Sequence, residues 1–570
     1  MLLAACGEAP GAGLQLDRPP EPARVSTSLR FEEAAEAMGL SARHVASRSS
    51  EKHMPEILGG GLAVTDIDRD GDPDVLLVNS GRLGAARRPD GAANRLFLND
   101  GRGQFEDGTA RWQLPSPGYG MGAAVGDVDA DGWPDLFLTT CAGPDALLRN
   151  TGSQLVDVSQ RSGLDTASGW STSAAFCDLD RDGDLDLYVV RYVVYDSATA
   201  LRCYDKRVHV YCSPVMHTAL SDIVYRNQGD GRFVDVSAQL GLGAAAGKGL
   251  ALAAGDLDGD GAVELYIAND TTPNTLWSSA EVGRLTDVAP LLGVAYSSLG
   301  QEQAGMGVDF SDVNGDGRLD ILCTNFQGES TSVYCQDAAG FFQERSDQLG
   351  VGATSRHRLS FGIDAFDADN DGDEDLLVAN GHIDDVVHMH RTGVRFGQRN
   401  TLYEQVAPGR LVDVTAGAGS ALEDEGVSRG LVTSDLDGDG DLDFLIVDND
   451  GPLRVGRNLS QPMGAWVGLW LECRDQRSAI GARVEARLGS RTITRLVLGA
   501  NSYLSTPDAR VHLGLGGATT DGALDELVIH WPGGGRSSYS GLQSGRYYHV
   551  IEGAAQPLPF VPGEAVRPPR

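Results

Sequence analysis

One nine-residue pattern, D-x-D/N-x-D-G-x-x-D/E, occurs seven times and fixes most of what this chain can fold into. The copies are Asp66-Asp68-Asp70-Gly71-Asp74, Asp127-Asp129-Asp131-Gly132-Asp135, Asp178-Asp180-Asp182-Gly183-Asp186 and Asp256-Asp258-Asp260-Gly261-Glu264, then Asp312-Asn314-Asp316-Gly317-Asp320, Asp367-Asp369-Asp371-Gly372-Asp375 and Asp435-Asp437-Asp439-Gly440-Asp443. Their first residues lie 51 to 78 apart, so each copy belongs to one unit of a repeat architecture. Carboxylates at positions 1, 3 and 5 converge, Gly at position 6 permits a sharp turn, and position 9 adds a further oxygen. That is the donor set of a hard cation, and Ca²⁺ suits it better than Mg²⁺, which keeps more water and demands stricter geometry. A solvated acidic turn would not need the same oxygens and glycine each time. An EF-hand is excluded, because its twelfth position is a bidentate Glu. Here that position is Leu77, Leu138, Val189, Ile267, Cys323, Val378 and Ile446.

Those residues belong to strands. Apolar runs such as Val75 to Val78, Leu136 to Leu138 and Phe444 to Val447 follow the loops, and small-residue runs such as Gly61-Leu62-Ala63-Val64, Gly122-Ala123-Ala124-Val125 and Gly307-Val308-Asp309-Phe310 precede them. Small residues are expected where several sheets crowd a common axis. The acidic turn therefore joins the first and second strands of a unit. A third strand like Asn94 to Asn99, a Gly turn and a fourth strand like Phe105-Glu106-Asp107 complete it, and Asn227 to Phe233 repeats that hairpin. Fourth strands begin at Phe105, Leu155, Phe233, Leu285, Phe342 and Leu411, and the remaining one, Phe31-Glu32-Glu33, precedes the first loop. The N-terminal strand must then complete the last unit, tying the ends of a ring together and removing its open edge. The expectation is an all-β chain: a seven-bladed β-propeller of four-stranded blades over 29–458, then a small β-sandwich-like domain over 459–553. Residues 1–28 read as a lipobox remnant with a flexible tether, and 554–570 as a disordered tail.

The 80 Asp+Glu against 46 Lys+Arg give a formal charge of −34, which excludes a basic nucleic-acid binder. No apolar run is long enough for a spanning helix. Leu3-Ala4-Ala5-Cys6 before Gly7 has the form of a bacterial lipobox, which makes Cys6 a candidate for acylation and a lipid anchor. Eight Cys are too few for a disulfide scaffold. Cys203 and Cys212 are the best-placed pair, inside the longest insertion, Arg191 to Asp222, where a staple would order a loose loop. Cys323 and Cys335 are a second candidate pair across a hairpin. Cys141, Cys177 and Cys473 read as small buried residues.

The repeat region resembles the FG-GAP or VCBS repeat propellers, whose calcium loops are shared with the integrin α head. Ile480-Gly481-Ala482-Arg483-Val484, Tyr503-Leu504-Ser505, Val511-His512-Leu513-Gly514-Leu515-Gly516 and Ile529-His530-Trp531-Pro532-Gly533 look like an ASPIC/UnbV domain. With Tyr211-Cys212-Ser213-Pro214 and Asn380-Gly381-His382, the whole is similar to bacterial relatives of cartilage acidic protein, though without the Cys-rich EGF-like tail of some animal members. The resemblance supports the Cys203–Cys212 pairing and implies a C-terminal module of undefined role. His512 and His530 each lie in an apolar strand with no second metal ligand nearby in sequence, so both read as structural histidines.

Calcium also argues for compartment. Two carboxylates about 4 Å apart repel by roughly 4 kcal/mol at an effective dielectric of 20, so metal-free loops are strained. Sites with dissociation constants near 10⁻⁴ M fill at the millimolar calcium found outside cells and stay vacant in the cytosol, which points to an exported protein, cell-surface, outer-membrane or secreted, holding about seven Ca²⁺. The rim opposite the acidic turns is the candidate ligand face, with polar strand ends at Asn79, Arg191, Tyr192, Asn269, Asp270, Asn325, Asn380, His382, Asp384, Asp448 and Asn449. Such residues usually satisfy loop backbone. His382, beside Asp384 and Asp385, is the weak catalytic candidate. No G-x-S-x-G, H-E-x-x-H, Walker or dinucleotide motif is present. Three functions follow, in order of preference: a calcium-stabilised binding or adhesion module with a protein or glycan ligand, an enzyme of natural-product or glycan metabolism using the propeller mouth, and a scaffold in a surface assembly.

Overall fold

The computed structural model describes residues 25–84, 92–164, 169–243, 247–474, 477–517 and 523–563. Cys6 and most of the expected tether lie outside the described residues. Across the repeat region the chain forms four-stranded antiparallel units, of which the first is Leu62–Thr65, Asp74–Leu77, Arg95–Asn99 and Phe105–Asp107. Its acidic turn sits between paired ends, Thr65 opposite Asp74 and Val64 opposite Val75. The same register recurs at the other turns, for example Gly126 opposite Asp135 and Ser434 opposite Asp443. The second and third units are joined edge to edge near Trp170 and Cys141.

The first strands of successive units touch in a closed cycle. Leu62–Thr65 meets Tyr119–Gly126, followed by Gly169–Cys177, Gly249–Gly255, Gly305–Ser311, Ser360–Phe366 and Ser428–Ser434, which returns to Leu62–Thr65. The N-terminal strand Phe31–Glu33 pairs with Leu453–Asn458, Phe31 opposite Asn458, and so supplies the outer strand of the last unit. Apolar layers fill the spaces between adjacent units: Leu76, Leu96 and Leu98 of the first share a core with Ala123, Val125 and Leu136 of the second.

The C-terminal region is also all-β. One sheet orders Val511–Gly516, Ala465–Glu472, Arg546–Ile551 and Leu558–Phe560; the other orders Arg491–Leu496, Arg483–Leu488, Glu526–His530 and Arg536–Tyr539. Val467 and Leu469 of the first share one buried cluster with Val484, Ala486 and Ile529 of the second, as in a sandwich. The strand Leu558–Phe560 corrects the expectation of a disordered tail from residue 554. It extends the sheet edge through Tyr547 and His549, and Phe560 lies against Trp470 and Tyr547.

Between these sheets the chain leaves the sandwich and enters the centre of the ring. Ser502 exchanges backbone hydrogen bonds with Val308, and Thr506 is bonded to Leu62 and Val64. The Thr506 hydroxyl donates to Ala123 O at 2.8 Å, and the Tyr503 hydroxyl to Leu58 O at 2.9 Å. Residues 501–506 therefore plug the axial channel. The small residues of the first strands are explained by this plug: a Cβ on Gly61 would lie 2.4 Å from Leu504 O, and one on Gly122 2.7 Å from the same atom.

The other end of the channel is crossed by the insertion between Arg191 and Asp222. Cys203 and Cys212 are bonded, with Cα atoms 5.2 Å apart. Cys323 and Cys335 are not bonded to each other, because Cys323 lies opposite Ser332 and Cys335 is three residues further along that strand, on its other face. They enter different buried clusters. The strap reaches across the ring: Arg202 pairs with Glu51, Lys206 donates to His390 O at 3.2 Å, and Asp205 lies 2.8 Å from His390 Nδ1. Its Tyr192, Val193, Tyr211 and Cys212 share one core with Tyr503 and Leu504 of the plug. With nine residues of sequence separation, the disulfide should contribute about 2 to 3 kcal/mol through the unfolded chain. A Cys203→Ser, Cys212→Ser double variant is expected to accelerate hydrogen exchange in the strap while leaving the core of the ring protected; unchanged exchange there would show that packing alone holds it.

Candidate metal centres

Each acidic turn is built by its own carboxylates before any ion is considered. Asp66 accepts the amides of Asp70 and Gly71 at 3.0 and 2.9 Å, and Asp127 those of Asp131 and Gly132 at 3.2 and 2.9 Å. Asp178, Asp256, Asp312, Asp367 and Asp435 each accept the amide of the Gly at position 6. That glycine is left-handed in all seven turns, with φ between +82° and +99°. Position 4 is left-handed too, occupied by Arg69, Ala130, Arg181, Gly259, Gly315, Asn370 and Gly438. The turn thus imposes the conformation even on residues that resist it.

The position-9 side chain has a second task. Asp74 accepts the amides of Ile67 and Asn99, Asp135 those of Val128 and Asn150, and Asp443 those of Leu436 and Asn458. The Asn side chain then crosses to the neighbouring unit: Asn99 donates to Leu436 O, Asn150 to Ile67 O, Asn227 to Val128 O and Asn458 to Ala368 O, all at 2.8 Å. These asparagines tie unit to unit directly behind the turns. The sequence reading missed their role, although Asn-x-Gly recurs in phase at Asn99, Asn150 and Asn227.

Carboxylate oxygens of Asp66, Asp68 and Asp70 lie within 4.8 Å of one another, as do those of Asp127, Asp129 and Asp135, of Asp178, Asp180 and Asp186, of Asp256, Asp258 and Asp260, and of Asp367, Asp369 and Asp371. Several are buried acceptors with no donor among the described residues: Oδ1 of Asp68, Asp129, Asp178, Asp180, Asp367 and Asp437. An acceptor oxygen shielded from water and unpaired is costly unless a cation meets it, so these residues fit a metal ion. Burial first, then neighbouring carboxylates, pushes Asp66 up to about 7, and burial first raises Asp127 to about 7 and Asp135 and Asp186 to about 8. Arginines offset part of this charge, Arg149 at Asp129 and Asp131, Arg318 at Asp316, and Arg457 at Asp437. The fifth turn differs: Asn314 Nδ2 donates to Asp320 at 3.0 Å.

The C-terminal sandwich sits on this rim. Tyr547 donates to Asp435 Oδ2 at 2.6 Å, Arg510 to Asp435 O at 2.9 Å, Arg477 to Gly183 O at 2.9 Å and Arg491 to Asp371 O at 3.2 Å. Arg69 of the first turn pairs with Glu472 at 3.4 Å, and Arg495 with Glu374. His512 is a docking residue, its Nε2 2.6 Å from Asn370 Oδ1 and its ring stacked on Trp466. His530 is half exposed, 3.9 Å from Glu485.

This arrangement of turns and appended sandwich is matched by known families. FG-GAP-like repeats match residues 66–138, 127–189, 215–267, 256–323 and 312–378, just over half of the chain. The chain belongs to the FG-GAP repeat family. The ASPIC and UnbV family matches residues 473–557, the plug and the sandwich apart from its strands Ala465–Glu472 and Leu558–Phe560. Cartilage acidic protein 1 of Mus musculus is 26% identical over 513 residues, covering 84% of this chain and 71% of its own length; that of Homo sapiens is 25% identical over 530 residues, covering 87% and 72%. The expected FG-GAP and ASPIC/UnbV architecture is therefore shown, as is the all-β propeller class. Among solved structures, an Agrocybe aegerita lectin that recognises non-reducing terminal N-acetylglucosamine aligns with 69% of this chain and 86% of its own at 14% identity and a TM-score of 0.37. The V. cholerae biofilm matrix protein Bap1 aligns with 69% and 61% at 13% identity and a TM-score of 0.26. At scores this low neither adds to the fold or the ligand.

On the opposite rim most of the singled-out polar residues serve the backbone. Asn79 donates to Arg43 O and Ala93 O, Asn269 to Pro273 O, Asn325 to Ser330 O, Asn380 to Arg399 O and Asn449 to Gly59 O. Arg191 offers its amide to Asp222, Tyr192 donates to Asp270 at 2.6 Å, and Asp448 holds Ser428 and Arg454. His382 does not meet the carboxylates next to it in sequence. It is buried, its Nδ1 accepts the Asp384 amide at 3.0 Å, and its ring lies edge-on to Phe326. The Asp384 carboxylate instead meets His390 at 2.6 Å, and Asp385 pairs with Lys52. Burial lowers His382 to about 3, so it is neutral at working pH and a poor proton donor or acceptor.

Proposed function

We propose that this chain is an exported, calcium-loaded interaction module that turns the strap-covered rim of a seven-bladed propeller toward a protein partner. The observation that carries the reading is the filling of the channel from both ends, by residues 501–506 on the metal-loop side and by the strap on the other. A channel so filled leaves the propeller mouth, among the described residues, without the chamber that an enzyme would need, and the sandwich already occupies the metal-loop rim. The outer face of the strap exposes Leu201, Tyr204, Val215 and Met216, and the exposed Met389 adjoins His390, which Lys206 and Asp205 of the strap contact. Apolar side chains gathered at one place on a chain of charge −34 suit a protein contact.

The turns support calcium through their all-oxygen donor sets and unpaired acceptors, and family membership agrees, since the same repeats supply the loops. One ion per turn gives about seven. Millimolar calcium is an extracellular condition, which favours export. Among the described residues no helix is long and apolar enough to cross a membrane.

The test is photo-crosslinking on intact cells from Tyr204 and, as a control on the sandwich, from Arg487. One protein adduct from position 204, lost with chelator, is the expected result. Equal adducts from both positions would remove the strap as the binding face. A glycan bound by the full chain and lost in Tyr204→Ser would replace the protein partner with a carbohydrate.

A further inference from the structure

Arg429 is an anomaly of the channel wall. It lies on Ser428–Ser434, is fully buried, and among the described residues has no carboxylate within ion-pair distance. Its Nε donates to Ile57 O at 2.8 Å, its Nη1 to Gly381 O and Ser428 O at 3.2 and 2.8 Å, and the guanidinium lies 3.8 Å from the centre of the Phe361 ring. Nη2 has no partner. A buried cation left with unsatisfied donors and no counter-charge costs several kcal/mol, which a fold seldom tolerates without a compensating group.

The neighbours deepen the anomaly. Gly381, bonded to Arg429, precedes His382, whose Nδ1 is already an acceptor; the proton therefore sits on Nε2, a buried donor that also lacks a partner among the described residues. The Tyr211 hydroxyl of the strap and Arg48 Nε are buried and unpartnered among the described residues as well. Lys52 lies 5.0 Å from the Tyr211 ring. The acids of this region are engaged elsewhere: Asp385 with Lys52, Asp384 with His390, Asp448 with Arg454 and Glu56 with the Ser49 amide. Burial pushes Arg429 down to about 9, with Arg48 adding to the fall and Tyr503, Asp448 and Tyr211 opposing it, and burial, then Arg391 and Arg429, lower His382.

We propose that Arg429, His382 and Tyr211, enclosed between the plug and the strap, form a binding site for a small monovalent anion, a halide or a simple carboxylate. The surroundings select charge and size. Phe361, Tyr503 and Phe326 line the region with rings, and stripping water from a dianion against such a wall costs far more than from a monoanion. The groups available, a guanidinium N–H, a neutral imidazole N–H and a phenol O–H, can all donate to an anionic acceptor.

Thermal unfolding of the full chain at fixed calcium and ionic strength tests the site, with chloride, formate or a bulky organic sulfonate as the anion. The midpoint should rise and saturate with chloride or formate relative to the sulfonate, and whichever saturates at lower concentration identifies the source. In Arg429→Met the midpoint should no longer depend on the anion, and in the sulfonate it should equal or exceed that of the native chain, because an uncompensated buried charge has been removed. Equal midpoints in all three anions, or a dependence that survives Arg429→Met, would overturn the proposal. Should that variant not fold, crystals of the native chain soaked in bromide or in formate supply the second readout: density within hydrogen-bond distance of Arg429 Nη2 is expected, and its absence with both anions rejects the site.

Discussion

Excess chelator is expected to lower the unfolding midpoint of the full chain by about 8 °C. With dissociation constants near 10⁻⁴ M and 1 mM calcium, each site adds about 1.4 kcal/mol, and about seven sites add roughly 10 kcal/mol. An unfolding entropy of about 2.1 cal/mol/K per residue converts that sum, for 570 residues, into the stated shift. Native mass spectrometry of the loaded chain should count the ions directly. An unchanged midpoint with no bound ions would sink the calcium assignment and the argument for export with it.

The same turns set a pH dependence whose sign reverses with calcium. In the calcium-free chain Asp66 and Asp127 titrate near 7 and Asp135 and Asp186 near 8, against 3.8 for the ordinary carboxyl. The folded state therefore holds protons that the unfolded chain has already released, and stability is lost as pH rises from about 4 to 8. Calcium needs those groups ionised, so protons compete with it and its affinity falls as pH drops through 8 to 6. The midpoint difference between loaded and chelated protein should be largest near pH 8 and should shrink toward pH 5; a difference independent of pH would mean that these carboxylates are not the ligands.

What could be read from the sequence was local or in phase. The Asp and Gly positions of each turn lie within nine residues, and the displaced Phe31-Glu32-Glu33 motif betrays the ring closure because six others keep its register. Long-range events left weaker traces. Gly61, Gly122 and Gly307 signalled crowding at an axis, but nothing adjacent to them says that residues 501–506 do the crowding. His382 and Asp384 are neighbours in sequence, yet an amide contact at Nδ1 turns the ring away and gives the carboxylate to His390. Cys323 and Cys335 fail to pair for a reason of register that only the strand alignment supplies. The docking side chains Arg477, Arg491 and Tyr547 look like ordinary surface residues until the turns they hold are placed beneath them.

Removing the plug side chain should destabilise the ring and the sandwich together. Tyr503 is fully buried, packs edge-on against Phe361 with ring centroids 5.0 Å apart, and bonds Leu58 O. Tyr503→Ala is therefore expected to cost about 3 to 5 kcal/mol, the range for deleting a large buried aromatic. Tyr503→Phe isolates the hydroxyl and should cost about 1 to 3 kcal/mol, since the Leu58 carbonyl loses its donor. Gly122→Val attacks the same contact from the wall, driving a Cβ to within 2.7 Å of Leu504 O. Because both changes act on one interface, the double variant should lose less than the two single losses added together. Backbone bonds from residues 502–506 reach Val308, Leu62 and Val64, and the sandwich core runs on into Phe176 of the ring. Circular dichroism and protease mapping during denaturation should then report a single transition in the native chain, shifted as a whole in Tyr503→Ala. A ring transition that stays put while only the sandwich melts earlier would show that the plug is an ornament of the C-terminal domain rather than part of the propeller's core.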